Sequence, residues 1–233
     1  TGAAEARTRS SERDTAETPF GRKPLAESPL TCLEMRQSRF RPAPTPPQMA
    51  PLLGSRARVR YRDPIQVLDF AGVRRNASVV DVGCGPGVLT LEAARRVGPE
   101  GMVYAVDANP QVLDRLDRRL ADIGATNVKI SLGQADRLPI PDRSADVVVL
   151  ISMLPVIKDR GAALKEARRV LKPSGILVVG EELPEPEFVR GRTIQRWAEE
   201  SGFRLVGRQG KAFRYMLKFV SDEYFQALGF DAR

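Results

Sequence analysis

The chain has 233 residues, 42% of them hydrophobic and 28% charged, with a formal net charge of +8 and no histidine. Serine-histidine hydrolysis and histidine-ligated zinc chemistry are therefore excluded within this chain, because the commonest general base and the commonest metal ligand are both missing. Cys32 and Cys84 lie too far apart, in contexts too unlike, to suggest a disulfide framework or a thiolate site, so no bound metal is expected.

The length suits one well-buried domain with extras. The longest apolar run, Val147 to Ile157, falls short of the roughly 20 residues that cross a bilayer, so no membrane span is expected. No secretory leader pattern opens the chain, and a reducing cytoplasm fits the cysteine usage. The positive balance admits an anionic partner, nucleic acid included, but the arginines are scattered through every segment. Only Arg56, Arg58, Arg60 and Arg62 form a local stripe.

Residues 1 to 50 mix Pro, Ser, Thr, Ala, Arg and Glu with no apolar period, and "RPAPTPPQMAP" reads as extended linker. This segment is expected to be a disordered extension, with Met49 a candidate start. Residues 51–72 read as a helical lead-in. In "DPIQVLDFAGV", Asp63 is the N-cap, Pro64 the first helical residue and Gly72 the stop. "ASVVDVG" is then a short strand and "VLTLEAARRVG" an amphipathic helix.

"GMVYAVDANP" reads as a second strand, followed by a helix with Val112, Leu113, Leu116, Leu120 and Ile123 on one face. "TNVKISLG" and "ADVVVLISM" are the third and fourth strands, the latter continuously apolar, as a strand covered on both faces should be. The helix "GAALKEARRVLKP" leads to the fifth strand "GILVVGEE". After a helix near "GRTIQRWAEESG", "FRLV" and "AFRYMLKFV" form an antiparallel hairpin around the turn "GRQGK". The tail from 221 reads as a short helix or a mobile end. This alternation predicts an α/β, Rossmann-like three-layer sandwich, whose mostly parallel seven-stranded sheet ends in a C-terminal antiparallel hairpin.

Ligands of such sheets sit at the carboxyl ends of the strands, where the strand order reverses. "VVDVGCGPGVLT", residues 79–90, lies at such an end and places three glycines after an aspartate. Its spacing misses the dinucleotide fingerprint, with Val88 where the third glycine belongs, and no Walker lysine follows. A carboxylate at Asp81 would repel a pyrophosphate and welcome an ammonium or sulfonium group.

These residues resemble the first motif of class I S-adenosylmethionine-dependent methyltransferases. "VYAVDANP" is similar to the acidic second-strand motif of that family, "GQADRLPIPDRSADVVVL" to its adenine-covering segment, and "ALKEARRVLKPSGILVVGEE" to its helix and fifth strand. The resemblance covers about residues 60 to 220, within a domain read as 51–220. It implies S-adenosylmethionine as cofactor and S-adenosylhomocysteine as product.

The resemblance also implies roles. Asp81 would face the methionine ammonium, with Gly83, Cys84, Gly85 and Gly87 forming the loop along the cofactor and the Cys84 side chain packed rather than reactive. Asp107 would accept the ribose hydroxyls, with Ala108 beside it. Gln134, Ala135 and Asp136 would lie by the adenine, the amino-group contact falling to either Gln134 or Asp136. Leu150 would pack near the cofactor where the fourth strand ends.

Methyl transfer is an in-line displacement that alignment can largely catalyse, so histidine is not obligatory. Where many relatives carry a histidine-containing segment after the fourth strand, this chain reads "MLPVIKD", with Leu154, Pro155 and Val156 as an apolar acceptor wall. In "EELPEPE", Glu181 or Glu182 is the candidate base or cation-attracting group, the alternative being an acidic surface loop. Tyr215 reads as core. A small, partly apolar acceptor is expected, ahead of ribosomal or transfer RNA. A catalytically silent cofactor-binding module and a nicotinamide-dependent oxidoreductase stand as further alternatives.

Overall fold

The structure is a computed structural model that describes residues 63–183 and 185–229. The extension read over 1–50, the start of the lead-in with its arginine stripe, and the last four residues lie outside the described residues. No helix among the described residues is long and apolar enough to cross a membrane.

Helix α1, Pro64–Ala71, starts and stops as the residues require. The Asp63 carboxylate accepts from Ile65 N–H at 3.0 Å, proline occupies the first turn, and left-handed Gly72 closes the end. Seven strands follow: β1 Ser78–Val82, β2 Met102–Asp107, β3 Val128–Leu132, β4 Ala145–Ile151, β5 Leu171–Glu182, β6 Phe203–Lys211 and β7 Arg214–Ser221. They form one sheet in the order β3-β2-β1-β4-β5-β7-β6. β1 to β5 are parallel, and β7 runs antiparallel to both β5 and β6. The strand order reverses between β1 and β4, which puts the topological switch point at the end of β1.

Helices α2 (Val88–Val97), α3 (Pro110–Asp122), α4 (Arg160–Val170) and α5 (Gly191–Glu200) connect the strands. Alternate residues of a strand point to opposite faces, and the core divides accordingly. Val79, Val147 and Val178 pack with α1 and α2, whereas Val80, Val148 and Val179 pack with α4 and α5. Ala105 meets α3 on the first of these faces, through Leu113, Leu116 and Leu120. Leu116 and Leu164 are completely buried, each worth roughly 1.5–3 kcal/mol in apolar burial. The β3–β4 connection has no helix and covers the second face with Leu138 and Ile140. It is held by α4: Glu166 accepts from Leu138 N–H at 2.8 Å, and Arg169 binds both Glu166 and the Leu138 carbonyl. The hydrogen bond from Arg169 keeps the Glu166 carboxyl below its ordinary range.

Three local expectations are corrected. The hairpin turns at Ala212 and Phe213, while "GRQGK" lies inside β6, with Lys211 paired to Arg214. Gly210 serves close cross-strand approach there, since a Cβ would run into the Arg214 carbonyl. Ile123 is 61% exposed because α3 ends at Asp122 and the chain leaves the apolar face. β5 begins at Leu171, before the expected "GILVVGEE", and absorbs Pro173 where its register with β4 shifts. At the other end of the domain, residues Asp222–Ala227 form α6, capped by Ser221 and tied to β6 by an Arg204–Asp222 ion pair at 2.8 Å.

Candidate active site

The glycine loop is anchored before any ligand enters. Gly83 and Cys84 N–H both donate to the Val106 carbonyl, at 2.8 and 3.1 Å, and Gly85 N–H donates to the Asp107 carboxylate at 3.0 Å. These amides are occupied by the protein, so what the glycines leave open is the room of their missing side chains. Gly83 adopts φ +73°, and a Cβ there would collide with the Met153 thioether. Gly85, at φ +53°, has nothing within 4 Å of its absent Cβ, and this is the open wall of the loop. At Gly87 a Cβ would enter the Leu116 side chain, which lets α2 start hard against α3. Gly83→Ala is therefore expected to cost roughly 1–3 kcal/mol of stability. Thermal melts of the single variant and of Gly83→Ala with Met153→Ala check it, since removing Met153 should relieve the collision and leave the backbone strain.

Asp81, near the end of β1, is 5% exposed, and its carboxylate accepts from the Thr90 hydroxyl at 2.6 Å. Burial pushes its carboxyl up to about 6, against the lowering by Thr90, and the nearby Asp107 charge pushes the same way as burial. Among the described residues the ion pairs include neither Asp81 nor Asp107. Arg119 reaches the loop but donates to the Pro86 carbonyl, so among the described residues neither carboxylate has an ion-pair partner, which suits a ligand that brings its own positive charge and hydroxyl donors. Cys84 is buried between α3 and the loop, and burial together with the two carboxylates pushes its thiol well up, so it is not a nucleophile at neutral pH.

Asp107 closes β2 and also accepts from Asn109 N–H at 2.9 Å. The cap of α3 is Asn109, which frees Asp107 from that role. A carboxylate offers about four acceptor positions, so two remain for ligand hydroxyls. Ala108 beside it is exposed. The Asp107 carbonyl accepts from Gly133 N–H at 3.1 Å, which brings the turn of Gln134, Ala135 and Asp136 to the same strand end. Gln134 and Asp136 are exposed there, and Ala135 is half-buried against the core. Asp136 also borders an open groove with Lys158 and Trp197. Leu150 is 1% exposed and sits in the core beneath the switch point.

Beyond β4 the chain turns sharply. Ser152 holds φ +50°, uncommon for a residue other than glycine, and donates its N–H to the Gly180 carbonyl at 2.7 Å. This turn lays Met153 over Gly83, while Leu154 and Pro155 are buried. Of the expected acceptor wall, Leu154 fills the core and Pro155 is buried, Val156 stays partly exposed, and Met153 is the side chain that meets the loop. The segment between the glycine loop and β5 is continuous, because Ile151 pairs with Gly180.

Glu181 and Glu182, at the end of β5, are both buried and paired in register with Tyr215 and Arg214 of β7. They are strand residues, so the acidic surface loop weighed as their alternative begins only after them and holds Glu185 and Glu187 instead. Both line a cleft with Asp63, Gln66, Gly180 and Arg214, walled by α1 and the hairpin. Tyr215 is core, as expected, and its hydroxyl donates to the Val189 carbonyl at 2.5 Å. The described residues contain no cluster of carboxylates and cysteines fit to hold a metal ion.

Thr90 and Met153 are the site residues that sequence reasoning missed. A buried threonine on the apolar side of the first turn after the glycines signalled Thr90, but no local pattern signals Met153, which meets Gly83 only through the fold.

The donor set fits S-adenosylmethionine: buried anion, ribose-competent carboxylate and an open Gly85. The profile of the methyltransferase-domain family matches residues 79–175. A ubiquinone/menaquinone biosynthesis C-methyltransferase of Hahella chejuensis is 40% identical over 115 residues, covering 49% of this chain and 46% of that protein. One from Enterobacter sp. is 37% identical over 162 residues, covering 66% and 62%. The chain thus spans about half to three fifths of the length of these curated relatives. A crystal structure of a SAM-dependent methyltransferase from Aquifex aeolicus superposes with a TM-score of 0.68 at 22% identity, over 75% of this chain and 98% of that one. By motif order, strand order and these matches, residues 79–175 are a methyltransferase domain, and the fold around it is that of class I S-adenosylmethionine-dependent methyltransferases.

Proposed function

We propose that this chain binds S-adenosylmethionine along the glycine loop and transfers its methyl group to a small, partly apolar acceptor, a hydroxylated quinone-precursor ring. One observation carries the reading: the buried Asp81 carboxylate, braced by Thr90, and the Asp107 carboxylate, which holds the N–H of the open Gly85, stand at neighbouring strand ends. Asp81 would hold the ammonium of the cofactor, Asp107 its ribose diol, and the Gln134–Asp136 turn its adenine. Bound there, the cofactor supplies a methyl group on a positively charged sulfur whose leaving form is a neutral thioether. The names of the matched relatives support a quinone-type acceptor and carbon as the methylated atom.

For such a ring the protein's task is to take the hydroxyl proton, so that electron density reaches the ring carbon facing the methyl group. We assign this task to Glu181 or Glu182, supported by their position at the strand end next to the one carrying Ser152 and Met153. Met153 would wall the methyl side and exclude water. The test is transfer of labelled methyl to a panel of reduced quinones and, in parallel, to ribosomal and transfer RNA. Label in a quinol is expected, with kcat falling by about 10²-fold or more when the true base among Glu181 and Glu182 becomes glutamine. Label in RNA alone would refute the acceptor class, and cofactor binding without transfer to any acceptor would make the chain a binding module.

A further inference from the structure

The tip of the β6–β7 hairpin has no role in the chemistry above, yet it stands at the mouth of the cleft. Phe213 is 67% exposed, and Leu183 is 40% exposed. The two are held side by side, because Leu183 N–H donates to the Phe213 carbonyl at 2.9 Å. Residues 208–214 are all exposed and include Arg208, Lys211 and Arg214 with no acidic residue. Arg214 pairs in register with Glu182 and lines the cleft, so this apolar, cationic tip continues directly into the candidate acceptor site. The two acids that follow Leu183, Glu185 and Glu187, are balanced in sequence by Arg190 and Arg192.

We propose that this hairpin tip docks the protein on the surface of an anionic lipid bilayer. The tip is a hairpin turn that carries an exposed aromatic side chain beside an exposed leucine, flanked by long cationic side chains. Apolar side chains exposed on a turn need a soft apolar medium to enter rather than a shaped pocket. Phenylalanine and leucine bury in the acyl boundary, while lysine and arginine stay among anionic headgroups. The headgroups match the positive charge of Arg208 and Lys211 on the tip, and each nearby cation adds to the attraction. Docking so would turn the mouth of the Glu181–Glu182 cleft toward the bilayer, the side from which an acceptor dissolved in lipid arrives.

Vesicle binding needs neither cofactor nor acceptor, so the test stands apart from that of methyl transfer. The full chain is sedimented with vesicles of phosphatidylcholine alone and of equimolar phosphatidylcholine and phosphatidylglycerol. Binding to the anionic vesicles only is expected, weakening as salt is raised. The double variant Phe213→Ser with Leu183→Ser is expected to lower the partition coefficient roughly tenfold with no change in melting temperature. Lys211→Glu, which leaves the apolar pair intact, should weaken it too. Absence of binding to anionic vesicles would overturn the proposal. So would binding that the double variant leaves intact, since the contact would then lie elsewhere in the chain. Binding to RNA but not to vesicles, lost in the same variants, would assign the tip to nucleic acid instead.

Discussion

Asp107→Ala is expected to weaken S-adenosylhomocysteine binding by about 10- to 150-fold, or roughly 1.5–3 kcal/mol. Two losses combine. The ribose loses its charge-assisted acceptor, and the loop loses the bond from Gly85 N–H that holds its open wall in place. Asn109 N–H, at the entry to α3, loses its partner as well. The ligand-free variant should therefore also unfold at lower temperature, by an amount equal to roughly 1–2 kcal/mol. Asp107→Asn keeps an acceptor oxygen but turns an amide toward one of the two donors, so it should fall between wild type and alanine. Calorimetric titration and thermal melts read both effects, and an affinity unchanged in Asp107→Ala would remove Asp107 from the ribose site.

Asp81→Asn carries the second large effect, and its two readouts move in opposite directions. In the folded protein Asp81 holds its proton up to about pH 6, against an ordinary value of 3.8. Between those values the folded state binds more protons than the unfolded one. Stability from this group is therefore fully present below pH 3.8 and is lost as pH rises through about 6. The loss is of the order of 3 kcal/mol, since each pH unit of displacement corresponds to about 1.4 kcal/mol. Asparagine has no charge to desolvate and can still accept from Thr90, so the ligand-free variant should melt higher than wild type at alkaline pH. Its affinity for the cofactor should nevertheless fall, by roughly tenfold, because the ammonium loses its counter-charge. In wild type, affinity should rise with pH through about 6 as Asp81 ionises. Melting curves and titrations across this range check both signs, and a variant less stable than wild type at alkaline pH would mean that Asp81 is already paired.

Much of this site is legible from short-range pattern. A buried strand ending in an acid, three glycines and a second strand ending in an acid place Asp81 and Asp107 at neighbouring strand ends, because parallel pairing aligns Asp81 with Ala105. Caps are equally local, and Asp63, Pro64 and Gly72 act as their residue types require. What escaped reading depends on distant partners. "EELPEPE" has the composition of an acidic loop, and only pairing with Tyr215 and Arg214 buries its first two residues. "GRQGK" has the glycines of a turn, yet Gly210 answers to an approaching backbone across the strand. Met153 became a site residue because the strained Ser152 turn carries it to Gly83, a contact between positions with no common period.

The most direct test of the central claim is a calorimetric titration of the protein with S-adenosylhomocysteine at alkaline pH, with NADH as a parallel ligand. The site described here predicts saturable binding of S-adenosylhomocysteine, weakened in Asp107→Ala and in Asp81→Asn, and no binding of NADH, whose pyrophosphate the Asp81 carboxylate repels. Binding of NADH alone, or of neither ligand, would contradict the assignment of the glycine loop, and the roles given to Asp81, Asp107 and Gly85 would fall with it.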